Sequence, residues 1–272
     1  NRFSCNRSNT CHGIRSFFQD LTLGQMKTLG LIGHPVSHSK SPQIFAEKFK
    51  LSDRSDLEYK LFELDKISDF ITITQNDPSI VALNVTVPYK KTIIPLLDEL
   101  SEEAKAIGAV NTIVKVDDLW IGHNTDAWGF SRSIQPFLKG RHDRALIFGS
   151  GGASNAVAYS LKKLGVTYHI ISRKKSEITD VTYSDLTPEA IKHHLLLVNC
   201  TPIGMTPNSQ SFLEIPYDGI SENHLVVDLV YDPETTKFMT LATKKGAVVM
   251  NGKDMLRLQA DKSWEIWLKN GI

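Results

Sequence analysis

The run Ala145-Leu146-Ile147-Phe148, followed by Gly149-Ser150-Gly151-Gly152-Ala153-Ser154, constrains this chain more than any other stretch. Four consecutive apolar residues suit a strand buried on both faces, and Ala156, Val157, Ala158 and Leu161 begin a helix beyond the glycines. Strand, glycine-rich turn and helix together open a βαβ unit, which commits the chain to a parallel sheet covered by helices. Gly149 permits the tight turn, and Gly151 lets backbone approach a pyrophosphate. The helix N-terminus adds free N–H groups and a partial positive charge. Ser150, Gly152, Ala153 and Ser154 complete the candidate cradle. Ser154 stands where the generic pattern has a third glycine, but a small residue still allows close helix–strand packing. The same run would also serve as a glycine-rich turn with no ligand.

The next strand end bears on which nucleotide such a cradle would take. After Tyr168-His169-Ile170-Ile171 come Ser172-Arg173-Lys174-Lys175. An NAD site places an acidic residue there for the ribose 2′-hydroxyl. Three cations in its place favour a 2′-phosphate and hence NADP, with Arg173 able to bind the phosphate and cover adenine. A run of surface cations can also be merely solvated. Ser172, Arg173 and Lys174 are the candidate residues at this end.

Strand and helix patterns alternate from Lys27 onward. Strands are predicted at 29–32, 57–63, 82–87, 112–116, 145–148, 168–171, 195–200, 225–229 and 247–250. Helices are predicted at 42–49, 67–74, 127–138, 153–164 and 235–245. Short apolar runs separated by helices of this length predict an α/β fold of parallel sheets. Gly140-Arg141-His142-Asp143 is a polar break before a new strand. A length of 272 residues allows one large domain or two ordinary ones, and 41% hydrophobic with 22% charged residues is typical of a soluble globular chain. The net charge of +1 gives no reason to expect a nucleic-acid or membrane partner, and no apolar run is long enough to span a bilayer.

Residues 1–25 differ from the rest, being polar and rich in Arg, Ser and Asn with no acid before Asp20. A secretory signal needs a longer apolar centre than Ile14 to Phe18. An organelle transit peptide has this composition, and so does a leader foreign to the domain. Met26-Lys27 reads as the start of the domain, and residues 1–25 as an extension without a functional role. Three cysteines do not make a disulfide framework and fit a reducing, cytoplasmic setting. Cys5, Cys11 and His12 lack a fourth partner at a metal-binding spacing, so no metal is expected.

A second constellation lies in the first half. Gly33-His34-Pro35-Val36-Ser37-His38-Ser39-Lys40-Ser41-Pro42 follows a short strand, and its Ser39 and Ser41 hydroxyls can both point at one carboxylate. Ser41-Pro42 would equally start a helix as cap and first residue. Asn84-Val85-Thr86-Val87-Pro88-Tyr89-Lys90 ends another strand, Gly108-Ala109-Val110-Asn111-Thr112 follows a helix and begins a further strand, and Gly122-His123-Asn124-Thr125-Asp126-Ala127-Trp128-Gly129 leads toward the glycine turn. Asn and Thr at strand ends commonly just cap and turn. In this order and at these separations, the segments resemble the shikimate dehydrogenase family. Asn199-Cys200-Thr201-Pro202-Ile203-Gly204-Met205, Asp228-Leu229-Val230-Tyr231 and Gly252-Lys253-Asp254-Met255-Leu256, followed by Gln259-Ala260, extend the resemblance to residue 272. Phe45-Ala46 departs from the family's frequent His-Asn and should affect helix packing. Ser172 and Lys174 depart from its frequent Asn and Thr and bear on the adenine end.

The resemblance implies a two-lobed α/β protein with the active site in the cleft between lobes. Residues 26–125 and 252–272 would form a substrate-binding domain, and 126–251 an NADP-binding Rossmann domain. In that cleft Lys90 and Asp126 would be the catalytic pair, and a final helix around 254–268 would return to the first lobe. Asn84, Thr86, Asn111 and Gln259 would meet ring hydroxyls, and Ser39, Ser41 and Tyr231 a carboxylate. Thr201, Met205, Leu229, Gly252 and Met255 would join the glycine turn in holding NADP. The implied activity is the reversible, NADPH-dependent reduction of 3-dehydroshikimate to shikimate by a monomer or homodimer. A quinate/shikimate dehydrogenase of broader range and a non-catalytic shikimate-binding regulator are the alternatives.

Overall fold

The computed structural model describes residues 26–176, 179 and 181–272. The expectations for residues 1–25, including Cys5, Cys11 and His12, lie outside them. The first half runs β1 (Lys27–Gly33), α1 (Ser41–Leu51), β2 (Leu57–Glu63), α2 (Asp69–Asn76), β3 (Ile80–Val85), β4 (Glu99–Leu100), α3 (Glu102–Ile107), β5 (Thr112–Val116) and β6 (Leu119–His123). These strands make a six-stranded sheet of order β2-β1-β3-β5-β6-β4. After α4 (Asp126–Ile134) come β7 (Arg144–Phe148), α5 (Gly152–Lys163), β8 (Thr167–Ser172), β9 (Val181–Thr182), α6 (Pro188–His193), β10 (Leu196–Asn199), β11 (Leu225–Asp228), α7 (Lys237–Thr243) and β12 (Val248–Met250). They build a second six-stranded sheet, β12-β11-β10-β7-β8-β9. The chain closes with α8 (Lys253–Lys269).

The second sheet is parallel throughout. Its strand order reverses between β7 and β10, the place where doubly wound sheets open a crevice for a dinucleotide. Strand β7 explains the unbroken apolar run. Ala145 and Ile147 face one core with Phe130, Val157 and Leu161, while Leu146 and Phe148 face another with Ile171, Leu197 and Phe238.

The first sheet departs from the parallel expectation. β1 pairs in parallel with β2 and β3, but β5 runs antiparallel to both β3 and β6. The turn between β5 and β6 is only Asp117-Asp118, with φ of 47° and 65°. Two successive left-handed residues form the two-residue hairpin turn that matches strand twist, and aspartate tolerates that conformation. The reversal matters for the site. It brings the start of β5 and the end of β6 to the same edge as the ends of β1 and β3, with Leu31 beside Asn84, Asn84 beside Thr112, and Thr112 beside His123.

Helix α8 returns to the first sheet. Trp264 and Trp267 pack with Leu29, Phe45, Phe49 and Val114, and the Trp267 indole N–H donates to Ile113 O at 3.0 Å. Helices α4 and α8 lie backbone to backbone. A Cβ on Gly129 would stand 2.9 Å from Met255 O and 3.0 Å from Gln259 N, so only glycine allows this approach.

Candidate active site

The strand ends of the first sheet, the start of α5 and the start of α8 enclose a cleft of about 190 Å³. Ser39, Ser41, Asn84, Thr86, Lys90, Asn111, Asp126, Tyr231 and Gln259 all line it, together with Ala153, Leu229, Gly252 and Met255. Residues from both ends of the described chain thus share one wall.

Lys90 and Asp126 meet at its centre. The Lys90 ammonium donates to Asp126 Oδ2 at 2.7 Å, with side chains only 16% and 5% exposed. Asp126 is the first residue of α4, where helix N–H groups favour a carboxylate. Its other oxygen accepts from Asn111 Nδ2 at 2.8 Å, so one oxygen is held by the scaffold and the other faces the ammonium. Asn111 Nδ2 also reaches Gln259 Oε1 at 3.3 Å, and Asn111 Oδ1 accepts from Thr125 N at 2.7 Å.

This pair belongs to a larger buried network that sequence reading did not find. Asn84 Nδ2 donates to Ser263 Oγ at 3.1 Å, and Ser263 lies 2.7 Å from Thr112 Oγ1 and 3.2 Å from Thr125 Oγ1. Tyr59 donates its hydroxyl to Asn84 Oδ1 at 2.9 Å. Fully satisfied buried polar groups fix each other's rotamers, so the amide faces presented to the cleft are set before any ligand arrives. Phe45 stacks on Tyr59 at 4.6 Å with rings nearly parallel, which places the Phe45 departure one contact behind Asn84. Ser263 stands one helical turn after Gln259, a signal that was available. Tyr59 carried none.

The serine loop reads both ways. Ser39 Oγ accepts from Ser41 N at 3.2 Å, which orders the turn and leaves its proton free to donate. Ser41 and Pro42 do begin α1, yet no side chain caps it, and Ser41 is buried against the cleft. Opposite, burial, with Asp232 adjacent, raises the Tyr231 pKa and keeps the phenol protonated as a donor.

The remaining candidates lie around the second sheet. Gly149 has φ of +108°, and its N–H donates to Ile171 O at 2.8 Å. A Cβ on it would crowd Thr201 Cγ2 at 3.0 Å, so the turn and the loop after β10 touch at the point where strand order reverses. Thr201 is fixed through its N–H and hydroxyl to Asn199 Oδ1, at 2.9 and 2.6 Å. Gly252 is required by close approach: a Cβ there would lie 2.1 Å from Leu229 O. Gly152 faces Lys90, whose Cβ would be 2.8 Å from an added methyl. Met205 and Arg173 are exposed, as is Lys174, whose carbonyl accepts from the Ser172 hydroxyl.

These residues fit a dinucleotide with a 2′-phosphate. A Cβ on Gly151 meets nothing within 4 Å, which leaves open space beside the helix N-terminus. The first turn of α5 holds no acid. Ser154 Oγ, in that turn, is the buried side-chain polar atom without a hydrogen-bond partner among the described residues. No carboxylate follows β8 before Lys175.

Asp228 is a further buried carboxylate. It accepts from Thr236 Oγ1 at 2.6 Å, Asn199 Nδ2 at 2.9 Å and Val230 N at 3.1 Å, tying together the loops that carry Thr201 and Tyr231. Burial outweighs these donors and pushes its pKa up to about 6. Among the described residues, no helix is long and apolar enough to cross a membrane, and no group of three His, Cys, Asp or Glu could hold a metal.

Comparison with known proteins agrees with this fold. Residues 31–113 match the model of the shikimate dehydrogenase substrate binding domain. The shikimate dehydrogenase (NADP(+)) of Clostridium botulinum is 36% identical over 261 residues, covering 91% of this chain and 98% of that protein. The crystal structure of shikimate dehydrogenase 1 from Peptoclostridium difficile superimposes with a TM-score of 0.79 at 35% identity, over 91% of this chain and 93% of that one. A Thermus thermophilus shikimate 5-dehydrogenase in complex with NADP(H) and shikimate gives 0.79 at 28% identity, over 90% and 94%. The chain belongs to the shikimate dehydrogenase family.

Proposed function

We infer that the protein is an NADP-dependent shikimate dehydrogenase, an oxidoreductase that interconverts 3-dehydroshikimate and shikimate. The observation that carries this reading is the Lys90–Asp126 pair, 2.7 Å apart and shielded from water, directly beneath the glycine turn of a dinucleotide fold. NADPH, when bound, supplies the hydride to the ring ketone. The rest is work for this chain's own residues.

As negative charge gathers on the ketone oxygen, the Lys90 ammonium stabilises it and gives up a proton. Asp126 holds that ammonium in place, and Asn111 in turn holds Asp126. In the reverse direction neutral Lys90 accepts the hydroxyl proton. Ser39, Ser41 and Tyr231 donate to the substrate carboxylate, which fixes the ring's position. Asn84, Thr86, Asn111 and Gln259 meet its hydroxyls, and Asn84, Asn111 and Gln259 are already oriented by Tyr59, Ser263 and Thr125. Gly149, Ser150, Gly151, Gly152, Ala153 and Ser154 would hold the pyrophosphate, Ser172, Arg173 and Lys174 the adenosine 2′-phosphate, and Thr201, Met205, Leu229, Gly252 and Met255 the nicotinamide half. We assign 26–125 and 252–272 to a substrate domain and 126–251 to a nucleotide domain, in a cytoplasmic monomer or homodimer with no nucleic-acid partner.

Steady-state rates with shikimate and quinate, each with NADP and with NAD, test the reading. Oxidation of shikimate by NADP is expected to be the fastest combination. A quinate rate equal to the shikimate rate would favour the broader dehydrogenase, and no turnover with any pair would favour the binding protein.

A further inference from the structure

Lys91, the neighbour of the catalytic lysine, has no role in the reading above. Its side chain reaches from the first sheet's half of the molecule to the second's. The ammonium donates to Ser150 O, in the centre of the glycine turn, at 3.1 Å. The approach is enforced from both sides, since Gly152 packs against the Lys90 Cβ and Asn155 of α5 donates to Ile107 O of α3 at 2.9 Å.

The electrostatics around it are one-sided. Among the described residues no carboxylate pairs with Lys91, and partial burial lowers its pKa with no opposing charge. The adjoining helix end carries positive partial charge, has no acid in its first turn and opens onto empty space at Gly151. Two positive sources brought together, one of them partly drawn out of water, leave a field that an anion would neutralise. Under the proposed function, that anion is the dinucleotide pyrophosphate.

We propose that Lys91 is a cofactor-binding residue that reaches from the first sheet's half of the molecule to the pyrophosphate. The substrate half of the molecule thereby takes part in holding NADP. The contact is blind to the 2′-phosphate, so it raises affinity for NADP and NAD alike, in contrast to Arg173.

The proposal rests on the dinucleotide reading, and titration calorimetry separates the two. NADP, NAD and adenosine 2′-monophosphate are titrated into the unaltered protein, Lys91→Met and Lys91→Arg. Lys91→Met is expected to weaken NADP and NAD by one common factor of about 5- to 10-fold, the loss of one partly solvated charge-assisted contact. Adenosine 2′-monophosphate, which has no pyrophosphate, should bind as before and also reports that the nucleotide fold is intact. Lys91→Arg should recover most of the loss, and about 0.5 M salt should shrink the gap between the Lys91→Met variant and the unaltered protein. Unchanged NADP and NAD affinity in Lys91→Met overturns the proposal while leaving the function standing. So does an equal loss for adenosine 2′-monophosphate. Failure of the unaltered protein to bind either dinucleotide overturns both.

Discussion

The two walls of the cleft are made differently. On the first sheet's side, side chains are buried and bonded to one another, as in the chain from Tyr59 through Asn84 and Ser263 to Thr125, Asn111 and Asp126. On the second sheet's side, backbone does most of the shaping: a left-handed Gly149, an open Gly151 and a helix end, with exposed Arg173 and Lys174 beyond them. A preorganised wall suits a small, rigid substrate whose every polar group must be matched, because reorganisation during reaction is costly. A backbone cradle with loose cations suits a long flexible ligand bound by charge at several points. Side-chain replacements should therefore hurt most on the first wall and least at the outer end of the second.

The largest effect is expected at the centre. Lys90→Ala should lower kcat about 10³-fold with a modest change in shikimate affinity, because its charge matters most as the alkoxide forms. Asp126→Asn should be similarly impaired. Near-normal turnover with an unaltered pH profile in Lys90→Ala would remove it from the chemistry. Next comes the carboxylate end. Replacing both Ser39 and Ser41 with Ala removes two donors to a charged group, each worth ~1.5–3 kcal/mol. The KM for shikimate should rise at least ~100-fold while that for NADP holds steady. Equal changes in both constants would mean that the loop shapes the wall without touching substrate.

On the second wall, Arg173→Ala should erase most of an NADP preference of about 100-fold in kcat/KM, by weakening NADP and sparing NAD. An unaltered protein that uses both cofactors equally well would refute the assignment of the cations. Asp228 behind this wall gives a smaller effect with a definite sign. Its pKa is raised in the folded state to about 6, so the native state binds the proton more tightly than the unfolded chain. The penalty for ionising it is absent below the unfolded pKa and fully present above about pH 6. Relative to Asp228→Asn, the protein should therefore lose about 2 kcal/mol of unfolding free energy between roughly pH 4.5 and 7, measured by urea titration. A difference that stays constant with pH would mean that the carboxyl is not desolvated. The smallest change is expected for Lys174→Ala, under about threefold in NADP affinity and fading with salt. A loss as large as that at Arg173 would erase the proposed contrast between a bidentate guanidinium and a solvated ammonium.

Much of this was legible because the signals were local. The strand and turn at 145–154 place apolar residues and glycines within one short stretch, and β7 and α5 begin within a residue of where the pattern puts them. The hairpin at Asp117-Asp118 was not legible, because its left-handed turn uses two aspartates in place of the glycine that usually announces one. β4, β6, β9 and α6 were passed over, since elements of two to six residues carry too few periods to register. In the candidate site, the cleft-lining residues that bear their own chemistry were named through the resemblance. Those that only orient others were not. Tyr59 and Ser263 act on Asn84 from 25 and 179 positions away, and no spacing rule joins them.

The glycine at 129 has a consequence for how such a molecule could move. Helix α4 carries the chain out of the first sheet and α8 carries it back, and the two are in backbone contact at that point. Both crossings thus share one axle. A rotation that opened or shut the cleft would turn about that line, and displacement would grow with distance from it as along a lever. Asp126 sits on one helix of the axle and Gln259 on the other, at the short end of the lever arm. Asp126 and Gln259 would keep their register through a swing that carries the outer loops much farther.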